Sequence, residues 1–181
     1  MEKLAYQLKV TLRGTRPPIW RRVEVPGRTT LSRLHDVIQI AMGWTDSHLH
    51  QFVAAGVMFG VPDPEWDMPV KRSARVRLDQ VLRVPKDDLI YEYDFGDGWE
   101  HRVVLEKVLP LDAARHRQPL VTGGRRACPP EDCGGVGGYY AMLAILDDPA
   151  NPEHDEMLAW VGGGFDAEHF DPEAANARFR A

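Results

Sequence analysis

Cysteine is scarce in this chain, with only Cys128 and Cys133 among 181 residues. In a reducing compartment such a pair argues against a structural disulfide, although the spacing leaves a small redox loop open. The stretch that holds them, CPPEDCGGVGGYY, also carries two prolines, two carboxylates and four glycines. It therefore raises three alternatives: a metal site, a phosphate cradle, or a rigid turn ahead of a helix.

Long apolar runs are also missing. No run approaches the roughly 18 apolar residues that span a bilayer, and the opening residues MEKLAYQLKV lack the apolar core of a signal peptide. We therefore expect a cytoplasmic protein without a membrane partner. The hydrophobic fraction of 44% is enough to bury a core, and the length favours a single domain over residues 1–181.

The chain has no overall basic charge, and its net charge of -5 hides an asymmetry. Residues 1–86 hold 14 Lys/Arg and 8 Asp/Glu, whereas residues 87–181 hold 8 and 19. This division could steer an anionic partner to one face, or the two halves could attract each other within one fold. A dedicated duplex-DNA-binding domain is usually basic overall, so nucleic acid is not the favoured partner.

Two glycine-rich stretches lack the neighbours that nucleotide sites need. DFG at 94–96 has neither a GxGxxG loop nor an HRD loop with it, and it leads into a GDG turn. GGVGG at 134–138 precedes a helix whose N-terminus could bind an anion, but the P-loop lysine and Ser/Thr are absent. A flexible lead-in to the helix is the preferred interpretation.

The first half of the chain predicts a hairpin, a helix and a strand, in that order. Residues 4–13 and 19–25 read as two strands joined by GTRPP. The apolar residues of LSRLHDVIQIAMGW recur at helical spacing, with Thr30 or Ser32 as the cap and Gly43 as the stop. HLHQFVAAG then reads as a third strand, and residues 57–74 read as a proline-rich, charged loop.

The second half predicts a hairpin followed by three helices. The hairpin is LIYEYDF, GDG and WEHRVVLEKV, and RVRLDQVL before it reads as a short strand or a helical turn. The helices are GYYAMLAILDD, PEHDEMLAWVG with an Asn151 cap, and PEAANARF with an Asp171 cap followed by Pro172. The order indicates an α+β fold with an antiparallel or mixed sheet built from hairpins, and a first half in β-grasp-like order.

A three-residue hairpin loop fixes an expected register. If the loop is residues 96–98, Tyr93 faces His101 and Tyr91 faces Val103. Asp94 would then stand opposite Glu100, a like-charge pair that calls for a nearby cation, basic side chain or solvent.

The segment DSHLH predicts metal ligands. If residues 46–50 are extended, Asp46, His48 and His50 project from one face at period two. A His-x-His pair with a carboxylate is a ligand arrangement for zinc or a similar ion, which Cys128 and Cys133 could complete. Histidines hydrogen-bonded to backbone in a half-buried strand are the alternative.

Five stretches in order resemble the plasmid pRiA4b ORF-3-like family: WRRVEVP, LHDVIQIAMGW, HLHQF, YEYDFGDGWEH and ACPPEDCGG. The resemblance runs from Tyr6 to the final helix. It implies a single α+β domain found on plasmids and mobile elements, without a known reaction. The recurrent residues are polar or aromatic and lie at the ends of elements, where sites are usually built. The predicted ligand-binding residues are Trp44, His48, His50, Asp94, Asp97, Trp99, His101, Glu131 and Asp132.

These residues support three hypotheses about function. The first is a binding module for a small ligand or a partner segment, in which PPED is a rigid turn that presents carboxylates to the site. The alternative is a metal-dependent hydrolase, with Glu131 or Asp97 as general base. The third is nucleic-acid binding, through Arg21, Arg22, Lys71, Arg72, Arg75 and Arg77. For the site itself, we expect the DSHLH segment, the 94–101 hairpin and PPED to converge.

Overall fold

A single eight-stranded sheet forms the centre of the computed structural model, which describes residues 4–62 and 69–180. The strands are β1 (Leu4–Leu12), β2 (Trp20–Pro26), β3 (His50–Ala54), β4 (Val57–Gly60), β5 (Lys71–Arg72), β6 (Asp88–Tyr93), β7 (Trp99–Pro110) and β8 (Leu120–Arg125). Their order across the sheet is β5-β4-β3-β6-β7-β1-β2-β8. β4 and β5 pair in parallel and the other neighbours are antiparallel, so the sheet is mixed.

Five helices accompany the sheet in the described part of the chain. They are α1 (Leu31–Met42), α2 (Leu78–Val81), α3 (Gly135–Asp147), α4 (His154–Trp160) and α5 (Pro172–Arg178). None of them is long and apolar enough to cross a membrane. The chain is therefore of the α+β class, as the order of the sequence patterns predicts.

Local sequence explains the boundaries of α1. The Thr30 side chain accepts a hydrogen bond from Arg33 N, and Gly43 ends the helix in a left-handed conformation. Leu34 and Ile38 on the same face are fully buried in the core against the sheet. The helix thereby delivers the loop that begins at Trp44 to one end of the sheet.

Several predicted elements are confirmed. The β1–β2 hairpin, the β6–β7 hairpin and α3 occur where the patterns place them. The Asp171 side chain caps α5, and Pro172 is its first residue. RVRLDQVL contains the single helical turn of α2.

Other boundaries were wrong. Residues 57–74 are not a continuous loop, because β4 pairs with β3 and β5 pairs with β4; residues 63–68 of this segment lie outside the described residues. β8 was not predicted. Asn151 does not cap α4, since it begins a turn in which its side chain accepts from Glu153 N, and the helix starts at His154.

The predicted register of the β6–β7 hairpin was also wrong. Tyr93 pairs with Trp99 and Tyr91 with His101, so the loop is residues 94–98. The carboxylate of Asp94 accepts from Gly96 N at 3.0 Å, which makes Asp94 part of the turn. The like-charge pair in the sheet is therefore Glu92 opposite Glu100.

Each member of this pair has its own partner, which relieves the repulsion. Gln51 Nε2 donates to Glu92 at 2.7 Å, and Arg13 Nη1 lies 2.6 Å from a carboxylate oxygen of Glu100.

Candidate functional site

Three segments that are distant in sequence meet at one end of the sheet. They are the loop after α1 (residues 44–49), the β6–β7 turn (residues 94–98) and the turn before α3 (residues 129–134). His48 Nε2 lies 3.0 Å from Asp132 Oδ1 and 3.7 Å from Asp94 Oδ2. The expected convergence of DSHLH, the hairpin and PPED is confirmed by these distances.

Glu131 joins the first and third of these segments. Its carboxylate accepts hydrogen bonds from the backbone N and the hydroxyl of Thr45 and from the hydroxyl of Tyr93. Burial, followed by the hydrogen bond to Glu131, raises the pKa of Tyr93, so the phenol stays protonated and donates. Glu131 thus holds the loop that carries His48 against the turn that carries Asp132.

Trp44 provides a second anchor between the same two segments. Its indole Nε1 donates to Pro129 O at 2.9 Å, and its ring stacks on Tyr93 with centroids 5.0 Å apart. Trp44 is only 8% exposed, so it lies beneath the site and supports it from the core. The PPED turn is therefore held from below by an indole and from the side by hydrogen bonds.

The glycines after PPED allow α3 to approach closely. A Cβ on Gly138 would lie 1.8 Å from Cys133 O, and one on Gly135 would lie 2.4 Å from Asp97 O. Asp97 Oδ2 also accepts from Gly134 N at 3.1 Å, which ties the hairpin turn to the start of α3. The GGVGG stretch is thus a packing surface for two neighbouring turns.

The group of His48, Asp94 and Asp132 could hold a metal ion. One ligand atom from each residue lies within 4.8 Å of the others. His48 Nε2 is buried and has no hydrogen-bond partner of normal geometry, despite its proximity to the two carboxylates. No lysine or arginine of residues 4–62 or 69–180 forms an ion pair with Asp94 or Asp132. One imidazole with two carboxylates is a donor set that suits a divalent transition metal.

The orientation of Asp94 leaves one oxygen for this group. Its Oδ1 accepts from Gly96 N, while Oδ2 is the atom that faces His48. The Asp94 side chain is 11% exposed, whereas that of Asp132 is 70% exposed. The group is therefore buried on the hairpin side and open to solvent on the PPED side.

A second group contains His35, Asp46 and His50, whose ligand atoms also lie within 4.8 Å of one another. Asp46 and His50 therefore belong to a different group from His48, and the extended DSHLH geometry was wrong. The strand begins only at His50, and Asp46 has φ 59. Asp46 turns back because its backbone N donates to Gln39 Oε1 and its carboxylate pairs with His35 Nε2 at 2.8 Å.

A closed ring of hydrogen bonds makes His35 a structural residue. Gln39 Nε2 donates to the Tyr91 hydroxyl at 2.9 Å, and this hydroxyl lies 2.8 Å from His35 Nδ1. Every donor finds one acceptor if Tyr91 donates to Nδ1 and the opposite nitrogen, Nε2, donates to Asp46. This ring holds the loop that leads to His48.

His35 and His50 are poorly arranged to share one ion. Their rings stack with centroids 3.5 Å apart and an interplanar angle of 7°. A metal binds imidazole nitrogen near the plane of the ring, and two parallel rings have no common in-plane point between them. Burial, with a further contribution from His35, lowers the pKa of His50 to about 4, so His50 is neutral near pH 7.

Trp99 and His101 lie in the core, beneath the site. Both are fully buried, and the His101 ring is 5.2 Å from that of Trp44. Burial lowers the pKa of His101 to about 4. These two residues support the site and are not placed to contact a ligand.

The cysteines belong to neither group of ligand atoms. Burial raises the pKa of the Cys128 thiol, and burial followed by Asp97 raises that of Cys133 to about 11. Both cysteines are free thiols. Thiols with such raised pKa values are protonated near neutral pH, which disfavours a nucleophilic role.

The six predicted phosphate-binding residues do not form one surface. Arg21 is buried and donates to Ala41 O at 2.9 Å, and Arg22 pairs with Glu106 at 2.5 Å. Arg77 pairs with Asp79 at 3.0 Å. The three others are exposed: Lys71, Arg72 and Arg75.

Sequence reasoning assigned no role in the site to the residues that position the ligands: His35, Gln39, Thr45, Tyr91 and Tyr93. A signal existed for His35, which follows Leu34 on the apolar side of the amphipathic helix. A histidine on the buried face of a helix needs a polar partner, and Asp46 provides it.

The chain is similar to proteins from bacteria and archaea. A family model described as plasmid pRiA4b ORF-3-like protein matches residues 4–174. "Uncharacterized protein y4hQ" of Sinorhizobium fredii (strain NBRC 101917 / NGR234) is 43% identical over 171 residues, which cover 94% of this chain and 85% of that protein. The crystal structure of a protein of unknown function, MM3350 from Methanosarcina mazei Go1, superposes with a TM-score of 0.86 at 37% identity, covering 96% of this chain and 98% of that one.

Proposed function

The chain belongs to the plasmid pRiA4b ORF-3-like protein family, and from the geometry of its candidate site we propose that it is a divalent-metal-binding module. The observation that carries this proposal is the buried Nε2 of His48, which lies 3.0 Å from Asp132 Oδ1 and 3.7 Å from Asp94 Oδ2 but forms no hydrogen bond of normal geometry. The lone pair of an imidazole nitrogen in this position can bind a metal ion. The ion in turn neutralises two like charges that no described lysine or arginine pairs with.

The donor set favours a transition metal such as zinc. Magnesium and calcium prefer sites built only from oxygen, whereas an imidazole nitrogen suits zinc and its neighbours. Three protein ligands would leave one position of a four-coordinate ion free, and the exposed Asp132 gives solvent access to the group. The open position is where a ligand with a donor atom would bind, so the module binds its ligand through the metal.

Metal titration tests the proposal. Protein purified without an affinity tag and stripped with a chelator is titrated with zinc and with manganese in a calorimeter. We expect about one equivalent to bind, and a loss of affinity of at least about 100-fold in His48→Ala, since it lacks a direct ligand. Less than about 0.2 equivalents in the wild type would contradict the proposal.

Two variants make the assignment specific. His169→Ala removes an exposed histidine outside both groups and should leave the titration unchanged. His50→Ala tests the other group. If His50→Ala abolished binding and His48→Ala retained it, the metal would belong to the His35 group and the assignment would be wrong.

A metal-dependent hydrolase is the second candidate, favoured by the three ligands and the open side. Glu131 is held by Thr45 and Tyr93, so it acts as a positioning residue in this proposal. Asp97 is the remaining general base, although one of its oxygens accepts from Gly134 N. We expect zinc-loaded protein to hydrolyse a p-nitrophenyl ester or phosphate, and Asp97→Asn to lower kcat without loss of metal. Equal rates with and without zinc would contradict this role.

A further inference from the structure

The sequence of α3 is apolar on every side of the helix. Between Gly135 and Asp147 the only charged residue is the last. Such a helix is normally covered all round. Within the described chain, however, only Gly135, Tyr139 and Met142 of α3 are buried.

A groove of about 410 Å³ runs between α3 and α4. Its apolar wall consists of Ala141, Met142, Ile145, Met157 and Trp160. Trp160 is 50% exposed, and α4 contains no buried residue. Methionine and tryptophan side chains are well suited to binding surfaces, because the first adapts its shape and the second offers a large apolar area.

The charged residues along the groove are all acidic. They are Asp132, Glu153 and Glu156, and no lysine or arginine of residues 4–62 and 69–180 lines it. The adjoining Asp155 has a fully exposed side chain. Because the rim carries only negative charge, it repels phosphate groups and attracts basic side chains.

A second groove of about 420 Å³ lies on the other side of α3. It is lined by Leu143, Ala144, Leu146, Asp147 and Phe165, so the charged residue among its described lining is again acidic. Both grooves combine apolar side chains with acidic ones. An amphipathic protein segment, which carries apolar and basic side chains together, matches this combination.

We propose that the α3–α4 face, defined by the groove between these helices and its acidic rim, docks a partner-protein segment whose apolar side chains are flanked by lysine or arginine. The apolar side chains of the segment fill the groove beside Met157 and Trp160. Its basic side chains pair with Glu153 and Glu156. This surface goes beyond the metal site, with which it shares only Asp132.

A peptide-binding experiment on the full chain tests the proposal. A labelled amphipathic peptide of leucine and lysine is titrated in chelator at physiological salt, beside an analogue in which glutamate replaces every lysine. Fluorescence anisotropy should show binding of the lysine peptide and at least about tenfold weaker binding of the glutamate analogue. Equal binding of both peptides would overturn the proposal.

Charge variants separate docking from general attraction to an acidic protein. Glu156→Lys changes the rim, and Glu173→Lys makes the same change on α5. We expect Glu156→Lys to weaken binding at least about tenfold, and Glu173→Lys to weaken it less than about threefold. If both weaken binding equally, the attraction is not local and the α3–α4 face is not the site.

Two further variants complete the test. Trp160→Ser removes half-exposed apolar surface and should weaken the binding of the lysine peptide at least about tenfold. Unchanged affinity would exclude the groove as the binding site. His48→Ala should bind the peptide like the wild type in chelator. A chain that binds peptide but no zinc would therefore contradict the metal proposal alone, and a chain that binds zinc but no peptide would contradict this one alone.

Discussion

Three aspartates in the two groups of ligand atoms share an unusual backbone conformation. Asp46, Asp94 and Asp132 have φ values of 59, 56 and 60°, in the left-handed region. Aspartate tolerates this region better than most residues, because its short side chain can bond locally. At each position the chain turns sharply, and the carboxylate thereby points back toward a histidine. The positions of these three carboxylates therefore depend on the local backbone conformation of each turn.

Removing the hydroxyl of Tyr91 should break the ring that holds the His48 loop. Tyr91→Phe leaves His35 Nδ1 and Gln39 Nε2 without their buried partner. We expect a loss of about 1–3 kcal/mol in the free energy of unfolding. Urea denaturation measures it, and Tyr140→Phe is the control: the Tyr140 hydroxyl also hydrogen-bonds to the Arg16 backbone, but these bonds are exposed, water can replace them, and the loss should be less than about 1 kcal/mol. Equal losses of unfolding free energy in the two variants would show that the hydrogen-bonded ring stabilises the protein no more than an exposed hydroxyl does.

His101 should make the protein less stable as the pH falls. In the unfolded chain it takes up a proton near pH 6.5, whereas burial lowers the pKa to about 4 in the folded protein. As the pH falls, the unfolded state therefore binds the proton first. Up to about 3 kcal/mol of the free energy of unfolding is lost between about pH 6.5 and pH 4.

Denaturation at several pH values checks this dependence. His101→Gln should show a smaller loss of stability between pH 7 and pH 4.5 than the wild type, whatever its stability at pH 7. His169→Gln, an exposed control, should keep the wild-type slope. If the free energy of unfolding of His101→Gln changed with pH as it does in the wild type, the burial of a neutral imidazole at this position would be contradicted.

At the scale of elements, the start of α3 packs against both the PPED turn and the hairpin turn. Its glycines differ in what surrounds them. Gly138 faces Cys133 O, Gly135 faces Asp97 O, and Gly137 has open space around it. The two crowded glycines let backbone approach backbone, and the third contributes only flexibility.

Alanine substitutions at neighbouring positions should therefore have opposite effects. Gly138→Ala forces a Cβ into a carbonyl oxygen and should cost about 2 kcal/mol or more. Gly137→Ala should stabilise the protein by about 0.5–1 kcal/mol, because it removes a glycine from a helix without meeting any atom. Thermal or urea denaturation compares the two. Stabilisation by both substitutions would mean that α3 does not pack against the PPED turn this closely.

At the scale of the whole molecule, the charge asymmetry is partly internal. Arg13 and Arg22 from the basic half pair with Glu100 and Glu106 from the acidic half. These pairs form because β1 lies between β2 and β7 in the sheet. These ion pairs support the interpretation that the two halves attract each other within one fold.

The proposed metal site depends on the whole fold, because His48, Asp94 and Asp132 meet only when the sheet and α3 are in place. An ion that binds only the folded state stabilises it by about 2.7 kcal/mol at a free concentration of 100 times the dissociation constant. We expect zinc to raise the urea midpoint of the wild type and to leave His48→Ala unchanged. An equal rise in His48→Ala would place the ion elsewhere.

The sequence alone determined the fold class, most elements and the segments that build the site. Periodicity identifies α1 and both hairpins because a core-facing stripe or alternation is a local property of the chain. Thr30, Gly43 and Asp171 mark helix ends for the same reason, since capping involves neighbouring residues. Five short stretches in order were enough to identify the family.

Only the tertiary structure decided which of these residues act together. The loop of the β6–β7 hairpin follows from how the Asp94 side chain closes its turn, and a shift of pairing changes every cross-strand neighbour. His48 separates from Asp46 and His50 because Asp46 is drawn to His35 and Gln39 on α1, contacts that spacing along the chain cannot show. Trp99 and His101 lie in the core for a similar reason, since the packing of Trp44 over the sheet decides which side of the hairpin is covered.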